Sequence, residues 1–346
     1  MVIKDLKVNP KMVILAREAR RLLQNELGDK IKASQGYISR IELGQTEISD
    51  QYLEAIAKIL NFPVSFFKQE GEILPPNLSY RKREKVAQKL ITFIDAHINI
   101  YRLNIQNLLN ATKQDAIHLP SLDITKYGSP EEVARQIRKL WKVPKGSIEN
   151  ITELMEANGV FIHTFDFGTE RVDGRSIFIE QKYPVVFVNE ALLGDRQRFT
   201  LAYELGHLVM HLQTVPSFER DIGHDANLFA AEFLMPEKEI MSEFTDGVTI
   251  PKLAELKRKW KISMQALLYR ASDIKIITDN QKRYLLEQFN KMQIRRREPP
   301  ELDIQKEQPK LLRTVFTTYK TKQKLNIKEL AHFFHLTEED FLERYS

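Results

Sequence analysis

The sequence predicts a mainly α protein with one small β-sheet. This α+β arrangement opens with an all-α N-terminal domain and closes with a C-terminal helical segment. Three observations carry that expectation. Apolar residues recur at helical spacing from Pro10 to Leu60 and again from Lys310 to Tyr345. Between them lie just three short runs rich in β-branched and aromatic residues. The 346-residue length exceeds the ~150 residues of a typical domain.

The first helix begins at Asn9-Pro10, an N-cap followed by proline at the first helical position, with Met12, Leu15, Ala16, Ala19, Leu22 and Leu23 on one face. Further short helices follow to Leu60, broken at Ser34-Gln35-Gly36, Gly44-Gln45 and Asn61-Phe62-Pro63. The stretch from Gln69 to Pro76 reads as a linker, because two prolines force extended geometry on their predecessors. A long amphipathic helix is expected from Lys82 to Asn110, another from Pro130 to Trp141 capped by Ser129, and a short one from Ile151 to Ala157. Val160–Phe165, Ser176–Ile179 and Pro184–Asn189 read as strands, and helices resume at Asp195–Leu212 and Asp225–Met235. The expected divisions are 1–68, a linker at 69–83, a mixed domain at 84–275 and a helical segment at 276–346.

Composition narrows the function classes. Lys plus Arg at 52 against Asp plus Glu at 47 leaves a net charge of +5, so any basic surface is local. Hydrophobic and charged shares of 42% and 29% suit a folded protein and exclude disorder as the main state. There is no cysteine, which removes disulfides, thiol nucleophiles and Cys-ligated zinc, and fits a cytoplasmic location. No apolar run approaches the ~18–20 residues that span a bilayer, so no membrane partner is expected.

Leu27, Ile31, Ile38, Ile41, Leu53, Ile56, Ala57 and Leu60 can share one core, which leaves Gln24, Gln35, Gly36, Ser39 and Arg40 facing outward. Short polar side chains at the start of a second helix suit a major-groove reader. Gln bonds adenine, Arg and Ser reach guanine or phosphate, and the helix N-terminus favours a phosphate oxygen. The pattern Gln-x-x-Leu, then Ser-Gln-x-x-Ile-Ser-Arg-Ile-Glu-x-Gly, resembles the helix-turn-helix domain of the Cro/repressor-like (XRE) family over roughly 9–68. Gly28 stands where that family usually has Ala, and Lys32 where the turn usually has Gly. The resemblance implies a double-stranded DNA operator as partner. One copy with so modest a charge binds weakly, so a homodimer is expected. The aromatic-Arg-Lys element Leu78–Arg83 matches one that commonly follows such domains in fused proteins.

The second motif runs from Arg198 to His211. A zinc hydrolase commonly places two His at i and i+4 on a helix, with a Glu after the first to take a proton from metal-bound water. Here the sequence reads Tyr203-Glu204-Leu205-Gly206-His207, with tyrosine in place of the first His. Together with Asp225-Ala226-Asn227-Leu228-Phe229-Ala230-Ala231-Glu232-Phe233-Leu234-Met235-Pro236, this closely resembles the ImmA/IrrE family of zinc metallopeptidases, from about Pro130 to Leu268. The resemblance implies a zincin-like fold, zinc as cofactor, Glu204 as general base, His207 as a ligand, and a ligand at the position of Asp225. Tyr203 is a doubtful ligand, since a phenol of pKa about 10 must ionise to bind zinc, and it could instead polarise a carbonyl.

Three readings stay open at this point. The scaffold persists with an incomplete ion cage, as a sensor or interaction domain of a transcription regulator. Alternatively it is a working zinc endopeptidase that cleaves a repressor or another peptide. Or the site has shifted one turn, to His207 and His211 with His224 or Asp225 as the third ligand.

Overall fold

The computed structural model describes residues 7–74, 86–213 and 220–345. The element at Leu78–Arg83, most of the expected linker's C-terminal half included, lies outside the described residues. Along the chain run α1 (Pro10–Ala19), α2 (Gln24–Ile31), α3 (Gln35–Glu42), α4 (Asp50–Leu60), α5 (Val64–Phe67) and α6 (Gln88–Thr112). Then come α7 (Ile124–Tyr127), α8 (Pro130–Leu140), α9 (Ile151–Ala157), β1 (Phe161–Phe165), β2 (Gly174–Ile179) and β3 (Tyr183–Asn189). Next are α10 (Gly194–Met210), α11 (Ile222–Leu234), α12 (Glu237–Ile240), α13 (Ile250–Trp260) and α14 (Met264–Asp273). The last are α15 (Asp279–Lys291), α16 (Leu311–Gln323), α17 (Ile327–Phe333) and α18 (Glu338–Tyr345). The fold is mainly α with one small sheet, as the sequence predicts.

The chain divides into two compact units: Met1–Leu78, Glu84–Gln114 and Arg313–Ser346 form one, Ser79–Arg83 and Asp115–Leu312 the other. In the first, Asn9 caps α1 by accepting from the Lys11 amide, with Pro10 at the head of the helix. Ser34 and Ser49 cap α3 and α4 in the same way. Met12, Leu27, Ile38, Ile41, Ile56 and Leu60 close a common core. Helix α6 is buried on all sides through its middle, from Ile94 to Ile105. The C-terminal helices belong to this unit. Arg20 Nη2 donates to Asp340 Oδ2 at 2.5 Å, Asn104 Nδ2 donates to the Tyr345 hydroxyl at 3.1 Å, and Leu330, Phe334, Leu336 and Phe341 are buried.

The two departures from the helix-turn-helix pattern explain each other. Lys32 adopts the left-handed conformation, φ 57° and ψ 41°, to end α2. This folds the turn back so tightly that a Cβ on Gly28 would sit 2.7 Å from the Ala33 carbonyl oxygen. Gly28 is therefore required by close approach, and its helix-propensity loss of ~1 kcal/mol is the smaller effect.

In the second unit β3 is the central strand, parallel to β1 and antiparallel to β2, giving the order β1-β3-β2. Every β3 residue is buried, while β1 and β2 form the sheet's edges. Helix α10 lies against the sheet and packs on α11, and all of its residues from Thr200 to Met210 are buried. Val186, Leu201, Leu205, Leu208, Phe229, Phe233 and Trp260 build this core. A Cβ on Gly174 would meet Thr200 Cγ2 at 2.8 Å, so glycine at the head of β2 allows strand and helix to touch. Helices α13 to α15 were not anticipated from the sequence, although Thr249 caps α13 with Pro251 in its first turn.

Two outcomes test this account. Gly28→Ala is expected to lower stability by about 1–2 kcal/mol in a urea melt, since overpacking exceeds the propensity gain, whereas Lys32→Gly is expected to raise it by about 0.5–1 kcal/mol. Burial pushes the His97 imidazole down from 6.5 to about 3, with Arg344, Arg20 and Arg21 adding to the fall and a bond to the Phe93 carbonyl opposing it. A depressed His pKa means the unfolded chain binds the extra proton, so this contribution is whole above pH 6.5 and is lost as pH falls towards about 3. His97→Gln is expected to flatten the acid limb of the stability curve by about 1.4 kcal/mol per pH unit within that window.

Candidate functional site

The outward-facing residues of the first unit gather at the start of α3. Gln35 and Arg40 are exposed, and Gln24, Gly36 and Ser39 are half-buried. A Cβ on Gly36 would meet only Arg40 Nη1, at 3.8 Å, so this face leaves room for close approach. Behind it runs a chain of hydrogen bonds that sequence reasoning missed. Arg17 grips Glu42 with two bonds, Nε to Oε1 at 2.6 Å and Nη2 to Oε2 at 3.0 Å. Gln24 Nε2 donates to Glu42 Oε2 at 2.8 Å, and Gln35 Nε2 donates to Gln24 Oε1 at 2.7 Å. The Gln35 amide is thus oriented from the core. The signal was present in the sequence: an arginine at position 17 beside the buried Ala16, and a glutamate inside the second-helix motif.

The second cluster spans α10 and α11. Glu204 is buried, and its Oε2 accepts a hydrogen bond from Ser176 Oγ at 2.6 Å, a contact made available by the Gly174 approach. Tyr203 presents its ring edge-on to His207, with centroids 4.8 Å apart. Its hydroxyl lies 3.4 Å from where a Cβ on Gly223 would stand, so the phenol fills the gap between α10 and the first turn of α11. His207 and His211 are one helical turn apart, and their Nδ1 atoms stand 2.9 Å from each other. His211 Nε2 faces Asp225 Oδ2 at 3.8 Å, beyond hydrogen-bond range, while Arg220 Nε donates to that same oxygen at 2.5 Å.

Electrostatics fixes the protonation of this group. Burial is the main cause that pushes His207 down to about 3, with His211 adding to it, and burial likewise pushes His211 down to about 4 against the opposing pull of Asp225. Both imidazoles are neutral at pH 7, so one Nδ1 donates and the other accepts. One ring of the pair therefore carries its proton on Nδ1 and the other on Nε2.

Of the residues named from sequence, Tyr203, His207, His211 and Asp225 come together, while Glu204 bonds Ser176 on β2. His224 does not: it is exposed and lines a cavity of about 590 Å³ with Arg196, Phe199, Asn227, Tyr269 and Arg296. Among the described residues no three His, Asp or Glu side chains converge as a metal-binding group. Ser176 and Arg220 are the contacts that sequence reasoning missed, and neither carries a motif of its own.

Comparison with known proteins places both parts. Residues 13–67 match the family described as helix-turn-helix, and residues 155–272 match the IrrE N-terminal-like domain. The radiation response metalloprotease IrrE of Deinococcus radiodurans is 33% identical over 111 residues, covering 27% of this chain and 32% of that protein. The chain therefore spans about a third of that relative's length.

The buried Arg17–Glu42 pair is open to a direct test. Arg17→Met is expected to cost about 3–5 kcal/mol by leaving a carboxylate buried and uncompensated, and adding Glu42→Gln is expected to recover most of that loss in thermal melts.

Proposed function

We propose that this chain, a helix-turn-helix domain at 13–67 fused to an IrrE N-terminal-like domain at 155–272, is a cytoplasmic DNA-binding transcription regulator. Its second domain serves as a sensor or interaction module. The observation that carries the reading is the Gln35 amide held outward at the start of α3, with Gly36, Ser39 and Arg40 beside it. Those groups suit a major-groove edge, and the α3 N-terminus suits a backbone phosphate. Two copies on a two-fold operator supply the affinity that one lacks.

The zinc implied by the family resemblance does not fit the residues present. A zinc site needs lone pairs that are ready to bind. Tyr203 supplies a phenol, the Nδ1 atoms of His207 and His211 are spent on each other, and Oδ2 of Asp225 is already bonded to Arg220. Among the described residues, the Nε2 atoms of His207 and His211 are buried without a hydrogen-bond partner, two nitrogens where a complete site needs a third ligand. The cavity of about 590 Å³ beside α11 lies within the range of ligand pockets and gives a sensing domain a place to bind.

A second reading keeps the enzyme. Glu204 is buried one turn from His207, where a general base of a peptidase acting on a repressor would stand. The two readings separate cleanly. A gel-shift assay with Gln35→Ala is expected to show relaxed sequence preference, and an unchanged preference removes Gln35 from the reading surface. Purified protein is expected to cleave no co-expressed repressor; cleavage that disappears in Glu204→Gln overturns the sensor reading in favour of the peptidase.

A further inference from the structure

The contact between Arg220 and Asp225 explains more than a surface ion pair would. Asp225 is buried at 6% exposure, and the Arg220 side chain reaches it from outside the helix. What brings them together is the cap of α11. Asp221 accepts hydrogen bonds from the amides of Gly223 and His224, which turns the preceding residue back over the first helical turn. Arg220 Nε then donates to Asp225 Oδ2, and His211 Nε2 faces the same oxygen. A buried carboxylate needs a compensating positive charge. In the family this chain resembles, the corresponding carboxylate answers a metal ion. Here a guanidinium answers it, with a charge that cannot be lost by deprotonation.

We infer that Arg220 is a tethered replacement for the metal: it neutralises Asp225 and closes the site to divalent cations. This rests on the non-metal reading given above and adds a cause to it. Loss of an imidazole at position 203 removes one ligand, while Arg220 withdraws a second and places a like charge beside the place a cation would occupy. The prediction is specific. Restoring histidine at 203 alone does not restore metal binding, because Asp225 remains taken.

The test uses full-length protein stripped with chelator, equilibrated with zinc, dialysed and assayed for metal per chain, with zinc titrations for affinity. Wild type and Tyr203→His are expected to retain essentially no zinc. Tyr203→His combined with Arg220→Gln is expected to retain about one per chain, on the order of 100-fold tighter than Tyr203→His alone. Equal affinity in the two variants, whether both bind or both fail, overturns the role of Arg220. One zinc per chain in wild type overturns the non-metal reading itself, so the two failures are distinguishable. A thermal melt supplies a readout without metal. Arg220→Gln is expected to melt below wild type, and Arg220→Lys between the two. An Arg220→Gln midpoint equal to wild type means that no internal cation is needed, and sinks the inference.

Discussion

The constraint on which the second unit depends is the complete burial of α10 from Thr200 onward. A helix enclosed by a sheet on one side and α11 on the other has no solvent to satisfy its polar side chains, so each must be answered from within the protein. Ser176 answers Glu204, His211 answers His207, and Glu307 answers Arg198. The rule extends to the neighbouring helices. Lys257 on α13 is held by Asp195 at 2.5 Å and Glu298 at 2.7 Å, and Arg270 on α14 by Glu232. A buried helix this rich in polar groups is stable only where neighbouring groups compensate each of its charges.

Viewed this way, a mutual bond between two imidazoles is a low-energy solution. Both rings are dry, both are neutral at pH 7, and the pair consumes one donor and one acceptor without leaving a net charge. The Tyr203 ring, nearly perpendicular to that of His207, completes the packing of the pair.

Much of this was legible in the sequence, and the limits have physical reasons. Caps announce themselves locally: Asn9-Pro10 and Ser129 both bond the amides their positions imply. The helix at Ile151–Ala157 and the three strands were likewise readable, though β2 begins earlier, at Gly174, because Gly174 and Arg175 pair with Val188 and Phe187. The polar run that follows Ile276 hid α15, whose buried face is only Leu285 and Phe289. The grouping of Arg313–Ser346 with the first helices rests on pairs such as Arg20 and Asp340, 320 residues apart, which no local pattern announces. At the cluster, spacing at i and i+4 brings two histidines together but does not say whether they share an ion or each other. The contact of Arg220 with Asp225, placed by a cap at Asp221, is of the kind that no such spacing announces.

The hydrogen-bond chain behind α3 carries a polarity from the core to the surface. Glu42, doubly bound by Arg17, is a pure acceptor, so Gln24 must turn its nitrogen inward and its oxygen outward. That oxygen in turn demands the nitrogen of Gln35, leaving the Gln35 oxygen exposed. A neutral amide at position 42 would permit either sense, and the exposed face would then be a mixture of two hydrogen-bonding patterns. A single buried anion thus sets which hydrogen-bonding pattern the exposed face presents, two side chains away from the surface.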